Sequence, residues 1–283
     1  MNWDNTLYIH PELKIGTCSW NYDSWVGLVY SKTAPNAARY LAEYARLFRT
    51  VEIDSWFYAV PAGSQVESYR AAVPDTFRFT CKVTRSVTRP RVNGEKNNDF
   101  LSTDVMEAYL EAIEPLAGQL DALMFEFEYL NRQKMPSLQA FIDTFGDFVS
   151  QLPKGFNYAV ETRNSNYLKP EYFRFLKEAG LIHVFSEKIY MPPVYEVYEN
   201  FPDSFSQGAV IRLLGGDRKK IEDKTRNVWN GIVEPRNDLE NIVEMIRAIR
   251  KINSVTINVN NHYEGSAPLT IDRISRIYGK TGL

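Results

Sequence analysis

Eight apolar stretches recur along the chain, and in several of them polar residues occupy alternate positions. In the second stretch, Val51 and Ile53 alternate with Glu52 and Asp54. The stretches lie at residues 15–19, 51–54, 77–82, 123–128, 158–163, 182–186, 210–214 and 255–260. Most are followed by segments with helical period, an order typical of a parallel β/α protein. Eight such units in 283 residues predict an α/β fold, a single (β/α)8 TIM barrel forming one domain over residues 1–283.

The alternation also predicts which face of each strand is polar. In a barrel the outer face packs against helices and must be apolar, so the polar face points into the barrel. The predicted interior residues, most of them near strand carboxyl ends, are Glu52, Asp54, Arg78, Lys82, Glu126, Glu161, Arg163, Arg212 and Asn260. Because unpaired charges are costly to remove from water, we expect these groups to form an ion-pair network. The network either fills the barrel, as expected for Glu52 and Arg78, or forms a site at the strand ends.

Composition narrows the classes of function. The chain is 44% hydrophobic and 24% charged, with a formal charge of −2, so it lacks the basic bias of a dedicated nucleic-acid binder. No apolar run approaches the roughly 18 residues that span a bilayer, and no signal segment is visible, so we expect a cytoplasmic protein without membrane contact. Cys18 and Cys81 fit buried thiols better than a disulfide or zinc site. With only His10, His183 and His262 available, we expect no imidazole-rich metal centre and no cofactor.

The last two predicted strands lead into loops that suit an anion. Phosphate sites of such barrels often lie at the loops after strands seven and eight, beside a helix amino terminus. Here Arg212 and Gly215-Gly216 belong to the first loop, and the second, residues 260–266, contains Asn260 and Asn261. Ser266 is expected to cap the final helix and leave free amides toward the mouth. We therefore expect a ligand that carries phosphate or carboxylate.

Three further groups have two interpretations each. Aromatic residues after strands one and two, including Trp20, Trp56 and Tyr58, either stack on a ligand ring or close the end of the barrel. Lys82 is either a Schiff-base or proton-transfer lysine, or the partner of a carboxylate in an ion pair. His262 is either a general acid/base or a satisfied loop histidine, whereas His183 is expected in the core.

At its strand ends the chain resembles the domain-of-unknown-function 72 family, also called YecE-like. The matching motifs span nearly the whole chain and lie at residues 16–20, 51–58, 77–82, 160–163, 211–213 and 260–262. The resemblance implies a TIM barrel and no established reaction. Two departures concern the site: Glu126-Phe127-Glu128 stands where relatives have Gln-Leu-Pro, and Leu214-Gly215 stands where a His-Gly pair is frequent.

The leading hypothesis is an enzyme, a hydrolase, lyase or isomerase, that uses metal-independent acid/base chemistry on an anionic substrate. In it, cations hold the anion (Arg212, Arg163, Lys82), Glu161 and Glu126 move protons, and Glu52 orients Lys82 and Arg78. One alternative is a non-catalytic nucleic-acid binder that uses the basic loop at residues 84–99 and the aromatics. Another is a divalent-metal phosphoesterase with ligands Glu126, Glu161 and His262. Glycoside hydrolysis by Glu126 and Glu161 is a weaker candidate. Oligomeric state is not readable from the sequence.

Overall fold

The computed structural model describes residues 11–280 and shows a closed barrel of eight parallel strands. The barrel strands, numbered β1 to β8 in chain order, are Leu13–Cys18, Thr50–Ile53, Arg78–Lys82, Leu120–Glu126, Tyr158–Glu161, Ile182–Lys188, Ala209–Gly215 and Val255–Val259. Each strand pairs with its neighbours in sequence, and β1 closes the ring against β8. The fold is therefore the predicted (β/α)8 TIM barrel.

Ten α-helices occur among the described residues. Numbered α1 to α10, they are Ala37–Tyr44, Gly63–Ala72, Arg85–Thr88, Thr103–Ile113, Leu138–Ser150, Pro170–Glu178, Val194–Asn200, Arg218–Thr225, Leu239–Arg250 and Ala267–Lys280. Side chains of Asn36, Ser102, Ser137 and Asp217 accept amide hydrogen bonds at the starts of α1, α4, α5 and α8. None of the described helices has the length and apolar character needed to cross a membrane.

Three segments differ from the sequence-based expectation. The region after β6, for which no helix was specified above, contains α7, and the loop after β7 contains α8. The basic segment after β3 contains α3 and a two-stranded hairpin formed by Arg91–Val92 and Glu95–Lys96. These short elements add to the barrel without changing its strand order.

The alternation of side chains separates two apolar clusters. The larger one lies between the strands and the helices and contains, for example, Val51, Ile53 and Phe125. A smaller cluster is formed by residues at the alternate positions of neighbouring strands, on the face turned away from the helices. Its members are Ala122, Met124, Ala159, Val184 and Val210. These small side chains fill the lower interior, so the charged residues that follow them along the strands lie toward the carboxyl-end mouth.

Arg78 does not join the interior network, which corrects the sequence-based prediction. It is the first residue of β3 and lies beside Thr50, the first residue of β2. Its guanidinium group donates to the main-chain carbonyls of Asp75 and Phe77, at 2.7 and 2.9 Å. At this amino end of the strand, Arg78 has no contact with Glu52 and stabilises the turn before β3.

Candidate active site

Arg212, on β7, lies at the centre of an ion-pair network in the upper part of the barrel. Its Nε and one terminal nitrogen donate to the two carboxylate oxygens of Glu52, at 2.8 and 2.7 Å. The other terminal nitrogen donates to Glu126 at 3.0 Å and to Glu161. Arg212 is 2% exposed, and Glu52 and Glu161 are fully buried. Four of the five N–H groups of Arg212 therefore donate to three carboxylates, so little of its hydrogen-bonding capacity is left for a substrate anion, and the role expected for it stays a prediction.

Two further cations complete the network. Lys82 Nζ lies 3.1 Å from Glu126 and 3.8 Å from Glu52. Arg163 lies 3.1 Å from Glu126 and 2.7 Å from Glu161. Three carboxylates thus face three cations, and the network is neutral as a unit. This balance explains how so many charges are tolerated in the barrel interior.

The network favours the charged forms of Glu52, Glu126 and Lys82. Burial raises the pKa of Glu126, but Lys82, Arg163 and Arg212 outweigh it and bring this pKa well below its ordinary value. Glu52 likewise has a lowered pKa, because Arg212 and Lys82 outweigh its burial. The pKa of Lys82 is raised, since its carboxylate neighbours outweigh burial and the repulsion from Arg212. Glu126 is therefore a weak proton acceptor at neutral pH, and Lys82 is a paired ammonium group.

A cavity of about 550 Å³ opens beside the network, between the loops that follow β4, β5 and β6. One part of its wall is charged and consists of Glu126, Arg163 and Lys188. The rest is mostly apolar and consists of Tyr129, Ile189, Tyr190 and Met191, together with the charged Glu128. Glu128 is neutralised by Lys134 at 2.9 Å. The volume suits a small metabolite rather than a polymer.

Lys188, the last residue of β6, differs from the other mouth cations. Among residues 11–280 no carboxylate oxygen lies within 4 Å of its Nζ. Burial lowers the pKa of its ammonium group and the Arg163 charge lowers it further, below the ordinary value of 10.5. Lys188 is thus more readily deprotonated than Lys82.

The two rim groups Asp54 and His262 also have shifted pKa values. Burial raises the pKa of Asp54, and the Lys82 charge offsets only part of that rise. Burial lowers the pKa of His262, and its hydrogen bond with Glu222 offsets this in part. Both shifts favour the neutral form of the group relative to an exposed residue.

His262 is fixed in a chain of polar contacts across the loops after β7 and β8. One ring nitrogen lies 3.0 Å from Glu222, and the other lies 2.6 Å from the amide oxygen of Asn260. Glu222 also accepts from Arg218 at 2.7 Å, and the ring packs against Trp229. The contacts fit the loop-histidine interpretation and leave a role in acid/base chemistry as a prediction.

At the start of α10, where an anion site was expected, the hydrogen bonds differ from those predicted. The Asn261 amide oxygen accepts from the Ala267 amide at 2.9 Å, so a side chain of the protein already uses this amide. The Ser266 hydroxyl has no hydrogen-bond partner among the described residues, so its predicted capping bond is absent. Glu264, which is buried, accepts from Thr270 at 2.8 Å and forms an ion pair with Arg273, so the nearby charges are already satisfied within the protein. The amino terminus of α10 is therefore a poor place for a phosphate.

The aromatic residues of the first two loops mostly pack inward. Trp20 and Trp56 are 3% and 1% exposed, and both contact Tyr69. Their indole nitrogens donate to Ala37 and Gln65. Their burial and these bonds fit the interpretation that both tryptophans close the end of the barrel, and a ligand contact for them stays a prediction. Tyr58 is 65% exposed and has the Arg85 guanidinium over its ring.

The remaining expectations concern metals and buried groups. Within residues 11–280 no three His, Cys, Asp or Glu side chains are grouped so that they could hold a metal ion, and the set Glu126, Glu161 and His262 is not assembled. His183 is buried, and burial lowers its pKa to about 3, as expected of a core histidine. Cys18 and Cys81 are buried free thiols. His10 lies outside the described residues.

Sequence reasoning did not find three residues of the cavity, Tyr129, Lys188 and Tyr190. All three lie at or just after the ends of β4 and β6, where chemistry is expected in this fold. The signal for Lys188 was its even spacing from Val184 and Ser186, which places it on the inner face. The prediction ended this strand at residue 186, whereas β6 continues to Lys188.

Comparison with known proteins agrees with this architecture. A family model described as "Protein of unknown function DUF72" matches residues 14–282. The curated "UPF0759 protein YecE" of Escherichia coli (strain K12) is 28% identical over 154 residues, which are 54% of this chain and 49% of that protein. The chain's match therefore spans about half the length of this relative.

Two solved structures of similar architecture come from other bacteria. A DUF72 family protein from Enterococcus faecalis V583 superposes with a TM-score of 0.69 at 20% identity, covering 94% of this chain and 95% of that one. A DUF72 family protein from Thermotoga maritima MSB8 superposes with a TM-score of 0.67 at 19% identity, covering 94% and 99%. At these identities the likeness shows the fold alone.

Proposed function

The chain belongs to the DUF72 family of proteins of unknown function, and we propose that it is an enzyme that binds a small phosphate- or carboxylate-bearing substrate in its barrel mouth and transforms it by metal-independent acid/base chemistry. One observation carries the proposal: a cavity of about 550 Å³ has Lys188, a cation with no carboxylate partner among the described residues, in its wall beside Arg163. An anion in this cavity would neutralise the unpaired charge.

The ion-pair network acts in this proposal as a fixed electrostatic scaffold. The pKa values of Glu52 and Glu126 are lowered, so Glu126 positions Arg163 and Lys82 rather than moving protons. Proton transfer falls to Lys188, whose pKa is lowered by its burial, with His262 on the rim. The Lys188 charge contributes to the lowering of the His262 pKa, so the two groups are electrostatically linked.

The alternatives have less support. Glu126 and Glu161 both bind the same nitrogen of Arg212, which leaves no room for a glycosidic bond between them. A nucleic-acid binder would need aromatic faces open to bases, but Trp20 and Trp56 are buried, and the guanidinium of Arg85 lies over the ring of the exposed Tyr58. A metal-dependent phosphoesterase would need carboxylates free to bind the ion, whereas those of the network are engaged by cations.

Calorimetric titration with inorganic phosphate and with pyruvate, at constant ionic strength, tests the proposal. The wild-type protein should bind one anion per chain, and Lys188→Gln should weaken binding by roughly ten- to a hundredfold, as expected for loss of a charge-assisted hydrogen bond. The matched control Arg276→Gln, which removes an exposed cation from α10, should leave binding unchanged. If neither anion binds, or if both variants behave alike, the proposal is wrong.

A further inference from the structure

Lys188 has the placement expected of a nucleophilic amine. It ends β6 after a register shift against β7, between Glu187 and Lys188, and its side chain faces the cavity beside Arg163. The apolar side chains Ile189, Tyr190 and Met191 follow it in the same wall. Ile189 and Tyr190 are 42% and 87% exposed, so a substrate in the cavity would meet the amine beside apolar surface that it would itself cover from water.

The other lysines of this region are engaged by carboxylates. Lys82 is 3.1 Å from Glu126, and Lys134 is 2.9 Å from Glu128. A lysine attacks a carbonyl only when it has lost its proton, and an ion pair opposes that loss. Lys188 has no such pair among residues 11–280. Its burial and the neighbouring Arg163 lower the pKa of its ammonium group, and the more distant charges of Glu161 and Glu126 offset this only in part. Of the two lysines at the strand ends, Lys188 rather than Lys82 fits the Schiff-base role considered from the sequence.

We propose that Lys188 forms an imine with an aldehyde or ketone substrate that also carries a carboxylate or phosphate group. This inference rests on the anion-binding function proposed above and adds the reacting group of the substrate. Arg163 would orient the anionic group, because it lines the same cavity and its Nε has no hydrogen-bond partner among the described residues. The apolar wall would hold the carbon skeleton.

The chemistry needs no further reactant. The Lys188 nitrogen lone pair forms a bond to the carbonyl carbon, and the carbonyl π electrons move to the oxygen. The nitrogen loses a proton and the oxygen gains one, which gives a carbinolamine. The carbinolamine hydroxyl takes up one proton, equivalent to the proton that the Lys188 ammonium group released before the attack. The C–O bond then breaks, water leaves, and the nitrogen lone pair forms the C=N bond of an iminium ion. This cation withdraws electrons from the adjacent carbon, so the site would suit proton removal or bond cleavage there.

Reductive trapping tests the inference. The protein is incubated with pyruvate or with dihydroxyacetone phosphate, treated with borohydride, and analysed by intact mass and peptide mapping. We expect one reduced adduct per chain, on Lys188, and slower trapping when inorganic phosphate competes. Lys188→Arg should abolish the adduct while keeping anion binding, because it retains the charge without a nucleophilic amine. Lys154→Arg, an exposed substitution before β5, should leave trapping unchanged.

The outcomes separate this inference from the proposed function. Adducts spread over surface lysines, and unchanged in Lys188→Arg, would overturn the imine assignment. So would the absence of any adduct while phosphate and pyruvate still bind, and that result would leave the anion site in place. Absence of both adduct and anion binding would overturn the two proposals together. Far-ultraviolet circular dichroism and thermal unfolding establish that Lys188→Arg is folded.

Discussion

Arg212 and Glu52 form a bidentate ion pair across the barrel interior, with nitrogen–oxygen distances of 2.8 and 2.7 Å. Their strands, β7 and β2, are separated in the ring by β8 and β1. The pair therefore joins opposite sides of the mouth through two almost fully buried side chains. Removing either partner would leave the other charge buried and unpaired in a medium of low polarity, which is strongly destabilising.

Replacing Arg212 by Met should lower the free energy of unfolding by about 3–5 kcal/mol, because Glu52 and Glu161 lose their buried partner. Denaturant unfolding measures the change. Arg276→Met, which removes an exposed arginine, should change the value by less than about 0.5 kcal/mol. The double variant with Glu52→Gln should be less destabilised than the sum of the single changes. A loss below about 1 kcal/mol for Arg212→Met would show that the network is not the buried unit described.

Acid should destabilise the protein through the same network. Glu52 and Glu126 have pKa values below the ordinary 4.5, so the folded chain binds fewer protons than the unfolded chain as the pH falls toward and below that value. Their stabilisation is complete above about pH 5 and is lost as the pH falls toward the folded-state pKa values. For each extra proton that the unfolded chain binds, the free energy of unfolding falls by about 1.4 kcal/mol per unit decrease in pH.

Urea unfolding between pH 3 and 6 measures this slope, and Glu126→Gln should make it shallower. Added salt should change the slope little, because exposed ion pairs are screened far more than buried ones. A stability that is flat from pH 6 to pH 3, or a slope that Glu126→Gln leaves untouched, would contradict the lowered pKa values.

The sequence could predict the barrel because alternation reports directly on the two faces of a strand. It placed Glu52, Glu126, Glu161 and Arg212 in one interior, and they meet there. Alternation gives the face of a residue but not its depth, which is why Arg78 was assigned to the network although it starts its strand. The cavity could not be predicted, because its walls are loops whose conformation depends on their neighbours in space.

Anion binding should depend on the protonation of Lys188. Because its pKa lies below the ordinary value of 10.5, affinity for phosphate should be lost at a lower pH than an ordinary lysine would allow. Lys188→Arg should retain affinity throughout the alkaline range, since guanidinium does not lose its proton there. Calorimetric titrations from pH 7 to 10.5 provide the comparison. Equal pH dependence in the two proteins would show that another group controls binding.

Gly215 and Gly216 offer a matched test of the contact between the last two loops. A Cβ atom on Gly215 would lie 2.3 Å from the carbonyl oxygen of His262, and Gly215 has a φ of +85°, so alanine would be both strained and crowded. A Cβ atom on Gly216 would meet nothing within 4 Å. Gly215→Ala should lower the free energy of unfolding by about 1–3 kcal/mol or more.

Gly216→Ala should be neutral or stabilise by up to about 1 kcal/mol, because alanine restricts the unfolded chain. The crowded backbone belongs to His262, so Gly215→Ala should also disturb the contact of that ring with Glu222. Thermal unfolding measures the first effect, and the titration of His262 by nuclear magnetic resonance measures the second. Similar unfolding temperatures and an unchanged His262 titration in both variants would mean that the loops are not held together at this point. His262 would then not be fixed on the rim by the approach of these two loops.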